Sequence, residues 1–169
     1  MFRKESFKLN GLEVMKLSLQ TKNEMVQFYL ECSNRLVQVL SKEIIKKITD
    51  DESFHLQRIH EGYEQLKKGE MFGNEFRESL RKSSREYFET IFSEAIKNQT
   101  EELFVESPEI EIIDTALGLE TKAHHFFITH SKGVEEGKIK EFLSFLASEE
   151  YRHYNLLYYT KEYLLDPQD

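Results

Sequence analysis

The chain has 169 residues, a net charge of −8 and a pI near 5.4, a size that can bury one core and suggests a single domain over residues 1–169. The acidic balance argues against nucleic acid as a partner, no 18-residue apolar run offers a membrane span, and the single cysteine, Cys32, excludes an internal disulfide and a four-cysteine metal centre. Two prolines and seven glycines among 32% charged residues fit long, solvated helices, and the opening MFRKESFKLN carries no export signal, so the cytoplasm is the expected compartment.

Apolar residues at alternating three and four spacings mark a first amphipathic helix through Leu12, Met15, Leu19, position 22, Val26 and Tyr29, stopping at Asn34. A second stripe, Ile45, Ile48, positions 52 and 55, Ile59 and Leu66, predicts a helix over about 36–68, ended by Gly69. Between Gly69 and Glu106 the chain is charge-rich, yet Leu80, Tyr87, Ile91, Phe92 and Ala95 recur at helical spacing and predict a shorter helix there. Ser107 as N-cap and Pro108 as the first helical residue open a third long helix, with Ile110, Ile113, Leu117, positions 120 and 124 and Phe127 on its stripe and a stop near Gly133. The last stripe is Leu143, Leu146, positions 150 and 153, Leu157 and Leu164, fading at Asp166 and Pro167. The expected fold class is all-α: a four-helix bundle of two antiparallel hairpins, about 11–68 and 107–165, joined by a long crossover, 69–106, that carries a short extra helix.

A shift of 98 positions lays the first hairpin on the second, with Met15 on Ile113, Leu19 on Leu117, Tyr29 on Phe127, Ile48 on Leu146 and Ile59 on Leu157. The same shift lays Glu52 on Glu150 and His55 on His153, so Glu-x-x-His recurs at one depth in both hairpins. With 26 glutamates and six histidines, roughly one such pair arises by chance, so the signal lies in position. Glu52, His55, Glu120, Glu150 and His153 all fall on stripes that face the core, where a carboxylate is tolerated only when neutralised, paired or bound to a cation. A carboxylate and an imidazole at i, i+3 share one helical face, and two such faces with glutamates from the other helices can surround a metal. Elsewhere, His124 reads as a packed, hydrogen-bonded histidine, and Tyr29 and Phe127 as core aromatics. Cys32 reads as a small buried hydrophobe, His60, His125 and His130 as surface residues, and YRHYNLLYYTKEYL as an apolar helix face.

These residues resemble the ferritin-like superfamily, in particular its rubrerythrin-related members, over nearly the whole chain. EIIDTALGLETKAHHFF, residues 111–127, is similar to that family's third-helix pattern, ITDDESFHLQRI, 48–59, to its second, and LASEEYRHYNLL, 146–157, to its fourth. The resemblance implies a diiron-carboxylate centre with Glu52 and Glu150 as bridging carboxylates, His55 and His153 as terminal ligands and Glu120 as a terminal carboxylate. It implies iron or manganese, one or two ions per chain, with O2 or peroxide oxidoreductase chemistry at open coordination positions. Full rubrerythrins usually add a rubredoxin-like FeCys4 segment, for which this chain lacks the cysteines, so an enzyme would need an external redox partner. A homodimer is the expected assembly.

The first helix departs from the pattern. The position matching Glu120 is Lys22, where the family would have glutamate. Lys22 either snorkels outward from the first helix or enters the site. In the second case its ammonium stands in for one metal and leaves a single ion on Glu120, Glu150, His153 and Glu52. Two ions beside an ammonium would repel it by about 4 kcal/mol per unit charge, at ~4 Å and an effective dielectric of ~20. The alternative function is a metal-free bundle, its site closed by a Lys22 salt bridge, acting as a scaffold or partner-binding module.

Overall fold

The computed structural model describes residues 9–70, 85–98 and 107–167. These form five helices and no strand: α1 Gly11–Ser33, α2 Val39–Lys67, α3 Arg85–Asn98, α4 Ser107–Gly133 and α5 Gly137–Leu165. The internal repeat is visible in the bounds themselves, since adding 98 to those of α2 returns those of α5. The short crossover helix falls where Ile91, Phe92 and Ala95 predict it. The position of Leu80, the side chain of Tyr87 and the predicted cap and first-turn side chains of Ser107 and Pro108 lie outside the described residues.

Local chemistry sets the helix ends. Asn10 and Glu13 form a reciprocal capping box at the start of α1, the Asn10 side chain accepting from the Glu13 amide and the Glu13 carboxylate accepting from the Asn10 amide, each at 2.9 Å. Gln38 provides no side-chain cap for α2. Instead the Glu109 carboxylate, from the first turn of α4, accepts from the amides of Val37 at 3.3 Å and Gln38 at 3.1 Å, an acceptor for donors the helix itself leaves unpaired. At the far end of α2, Gly69 takes φ 75°. Its amide donates to Leu66 O and that of Glu70 to Gln65 O, both at 3.0 Å, a Schellman stop that suits glycine because no Cβ opposes the left-handed conformation.

Helices α1 and α2 pack as one hairpin and α4 and α5 as the other. The hairpins meet where α2 lies against α5 and α1 against α4, while α3 leans on α2 and α5. The core runs through Met15, Tyr29, Ile45, Ile48, Ile59, Ile113, Phe127, Leu143, Leu146 and Leu157, all buried, as is Cys32.

The buried faces differ from the predicted stripes in detail. Leu12 is 38% exposed and Leu19, Ile110 and Leu117 are only partly buried, while Val14, Met25, Ile112 and Ala116 take inward places. A helix touching two neighbours buries a band wider than a two-in-seven seam, so the inward set includes positions flanking that seam. On α5 the leucines Leu156, Leu157 and Leu164 turn inward, whereas Tyr151, Tyr158 and Tyr159 stand exposed. The tyrosine-rich end thus has an apolar face made by its leucines, with three of its tyrosines standing outside it. His60 and His125 are exposed as expected, but His130 is partly buried with its ring 4.4 Å from that of Phe126. No described helix is long and apolar enough to cross a membrane.

Candidate metal centre

At mid-depth of the bundle the apolar layers give way to ionisable groups. Ile48 and Ile59 on α2, and Leu146 and Leu157 on α5, lie above and below the Glu-x-x-His segments and are fully buried. The helical repeat therefore carries the polar residues between them inward along with the apolar ones. Lys22, Glu52, Glu120 and Glu150 are each 0% exposed, and His55 and His153 nearly so. This resolves the first-helix alternatives: Lys22 does not snorkel to the surface but enters the cluster.

The structure brings four of the five expected ligands together. Glu52, Glu120, Glu150 and His153 each offer a ligand atom, all within 4.8 Å of one another. His55 stands beside this group, its ring stacked 6.0 Å from that of His153, and does not join it. The Lys22 ammonium donates to Glu52 Oε2 at 2.6 Å and to Glu150 Oε1, spanning the two Glu-x-x-His carboxylates. The Tyr29 hydroxyl donates to Glu120 Oε1. His153 Nδ1 lies 2.9 Å from Glu52 Oε1 and 3.7 Å from Glu120 Oε2. On its other side His153 Nε2 lies 3.2 Å from Asp51 Oδ2.

Burial and charge set the protonation states. Burial alone would discharge Lys22, but Glu150, Glu52 and Glu120 hold its pKa above the ordinary lysine value. Burial would likewise raise Glu52, yet the Lys22 ammonium and the His153 imidazole keep it well below the usual carboxylate range. Glu150 goes the other way: burial, then the neighbouring Glu52 carboxylate, push it well up despite Lys22. His153 is raised well above 6.5 against its burial, because Glu120, Asp51 and Glu52 surround it. His55 falls to about 3, through burial and then the Lys22 charge. The Lys22 ammonium thus persists among the carboxylates, with the His55 ring held neutral beside it. Tyr29 is raised well above 10 by burial and by Glu120, so its hydroxyl stays a donor.

This donor set fits a divalent cation. Oε2 of Glu120 and Oε2 of Glu150 are buried and accept no hydrogen bond, an arrangement that in a dry interior calls for a cation. Carboxylates with one imidazole suit iron or manganese better than soft metals. The Asp51 contact holds the His153 ring by Nε2 and leaves Nδ1 to face the glutamates, as an oriented metal ligand requires.

Three functional contacts escaped the sequence reading. Asp51 and Glu149, each directly preceding a cluster glutamate, face the histidine of the opposite hairpin, Asp51 on His153 and Glu149 on His55 Nε2 at 3.7 Å. Their signal was present, because Asp51 falls on Glu149 at the 98-residue shift. The third is the Tyr29 hydroxyl: the ring is core, as expected, but its oxygen belongs to the site. His124 donates from Nδ1 to Ala147 O at 2.7 Å, in keeping with a packed, hydrogen-bonded residue.

No curated protein and no solved structure matches the chain significantly. The family model for rubrerythrin matches residues 13–160. With that match reaching all five described helices and the cluster between them, the chain belongs to the rubrerythrin family, the ferritin-like diiron-carboxylate proteins, with no rubredoxin domain found beside it.

Proposed function

We propose that this protein binds iron or manganese in the buried cluster and carries out O2 or peroxide oxidoreductase chemistry of the rubrerythrin kind. The observation that carries the reading is the convergence of Glu52, Glu120, Glu150 and His153 within 4.8 Å, fully enclosed, with two carboxylate oxygens lacking partners. Those four residues would hold the ion, and bound iron would supply redox chemistry and open positions for oxygen-derived ligands.

The surrounding residues each have a part. Asp51 keeps the Nε2 side of His153 engaged so that Nδ1, once its proton is released to water, can face an incoming ion. Tyr29 fixes Glu120 through Oε1, leaving Oε2 as the donor. Phe127 and the apolar layers around it exclude water, which strengthens every charge interaction inside. We further propose that an external redox partner supplies electrons and that the protein works as a cytoplasmic homodimer.

Anaerobic addition of Fe(II) to chelator-treated protein tests the reading. Iron should be retained through desalting and lost in Glu120→Ala, and peroxide should then oxidise the bound iron with a change in visible absorption. Absence of retained iron and manganese would favour the second reading, a metal-free scaffold or partner-binding bundle. One observation speaks for that reading: Lys22 already pairs with both Glu52 and Glu150. Against it stand the buried Oε2 atoms of Glu120 and Glu150, which accept no hydrogen bond, a loss that a closed structural site would have no reason to leave.

A further inference from the structure

We infer that Lys22 is a built-in substitute for a second metal ion, so that the centre takes one divalent ion per chain, on the Glu120 and His153 side. The inference rests on the metal-binding reading above. The two halves of the site are related by the 98-residue shift, and comparing them contact by contact shows that one is complete and the other rebuilt around an ammonium.

In the complete half, the first-helix position carries Glu120, the aromatic facing it is Tyr29, and the hydroxyl of Tyr29 donates to that carboxylate. His153 Nδ1 points to Glu52 and Glu120. In the other half, the position equivalent to Glu120 is Lys22, and the aromatic equivalent to Tyr29 is Phe127. Lys22 Nζ lies 5.4 Å from the centre of the Phe127 ring. A phenol suits a carboxylate because it donates a hydrogen bond; a ring without hydroxyl suits an ammonium, which is drawn to the ring face and has no use for a donor. Each aromatic is matched to the charge it faces, a pairing that an incidental lysine would not produce.

The histidine of the rebuilt half shows the same replacement. His55 Nδ1 is buried without a hydrogen-bond partner, whereas the equivalent Nδ1 of His153 has two carboxylates before it. The His55 side lacks the carboxylate that Lys22 displaced. Lys22 instead occupies the space between Glu52 and Glu150, the two carboxylates a second ion would have to share.

Charge decides the stoichiometry. Three glutamates balance one divalent ion plus one ammonium, while two divalent ions plus the ammonium leave a net charge of about +2 in an enclosed interior. A diiron centre of the family kind therefore does not fit this chain as it stands, and a mononuclear one does.

Equilibrium dialysis of the full-length protein against Mn(II), with elemental analysis, provides the test, alongside Lys22→Glu and Lys22→Gln. The wild type should bind one ion per chain in the cluster and Lys22→Glu two. Lys22→Gln should gain a second, weaker ion, and it decides the matter if Lys22→Glu does not fold. Magnetic coupling between the two Mn(II) ions in the electron spin resonance spectrum of the variant would place them side by side. Two ions in the wild type would overturn the inference while leaving metal binding intact. One ion in the wild type and in every folded variant would also overturn it, since Lys22 would then exclude nothing. No ion in any form would overturn the proposed function, and the inference with it.

Discussion

Lys22 shows what burial demands of a single residue. Fully enclosed, its ammonium persists because Glu52 and Glu150 both contact it, and those carboxylates in turn depend on it. Removing one partner of such a group leaves the others uncompensated, so Lys22→Met should destabilise the metal-free protein by about 3 kcal/mol in urea denaturation. Added Mn(II) should recover more of that loss in the variant than it contributes to the wild type. The raised groups give a pH signature of known sign. Above pH 6.5 the folded state retains a proton on His153 that the unfolded chain has released, so stability falls as pH rises toward its raised value; Glu150 adds a contribution of the same sign as pH rises above its ordinary value of 4.5. His55 does not contribute there, since its lowered value of about 3 makes it neutral in both states above 6.5. In chelator, unfolding free energy should fall as pH rises above 6.5, at no more than about 1.4 kcal/mol per pH unit for one such proton, and His153→Gln should flatten that slope. With Mn(II) present the trend should reverse, because the ion takes the place of the protons. Lys22, Glu52, Glu120, Glu150 and His153 were all legible in the sequence because each sits on a helical stripe whose phase the neighbouring leucines and isoleucines define. The Tyr29 hydroxyl was not, since periodicity shows which way a ring faces but not what its oxygen meets across the core.

At the scale of elements, helix termini divide into those written locally and those completed from elsewhere. The Asn10–Glu13 box and Gly69 are local, readable from residues three or fewer apart. Asn10→Ala should cost about 1 kcal/mol of stability in thermal or urea unfolding. The start of α2 is different: its acceptor, Glu109, is some seventy residues away in sequence and meets Val37 and Gln38 only once the hairpins dock. Replacing this buried carboxylate strands two amides, so Glu109→Ala should cost about 2 kcal/mol, more than Asn10→Ala despite the absence of any cap signal in the α2 sequence. A terminus near residue 36 is the natural reading of the apolar pattern alone, and the observed start at Val39 reflects where Glu109 docks. The inward set differs from the stripes for a similar reason. Leu12 and Val14 are both apolar, and only the direction of the neighbouring helix decides that Val14 is buried and Leu12 exposed.

The whole molecule is two similar hairpins whose shared polar layer draws on four helices: Lys22 from α1, Glu52 from α2, Glu120 from α4, and Glu150 and His153 from α5. The repeat made this architecture legible, because a 98-residue shift that superimposes both the apolar pattern and the Glu-x-x-His pairs implies two equivalent units facing each other. Its imperfection at position 22 was legible as well, but its consequence depended on burial. A cation holding all four segments would act as a cross-brace, stabilising the folded state by about 2.7 kcal/mol at a free concentration one hundred times its dissociation constant. The most direct measurement of the central claim is anomalous diffraction from crystals grown with Mn(II). The account predicts one strong peak bounded by Glu52, Glu120, Glu150 and His153, with the Lys22 ammonium still beside Glu52. Anomalous density confined to surface carboxylates, with the interior cluster unchanged, would contradict it.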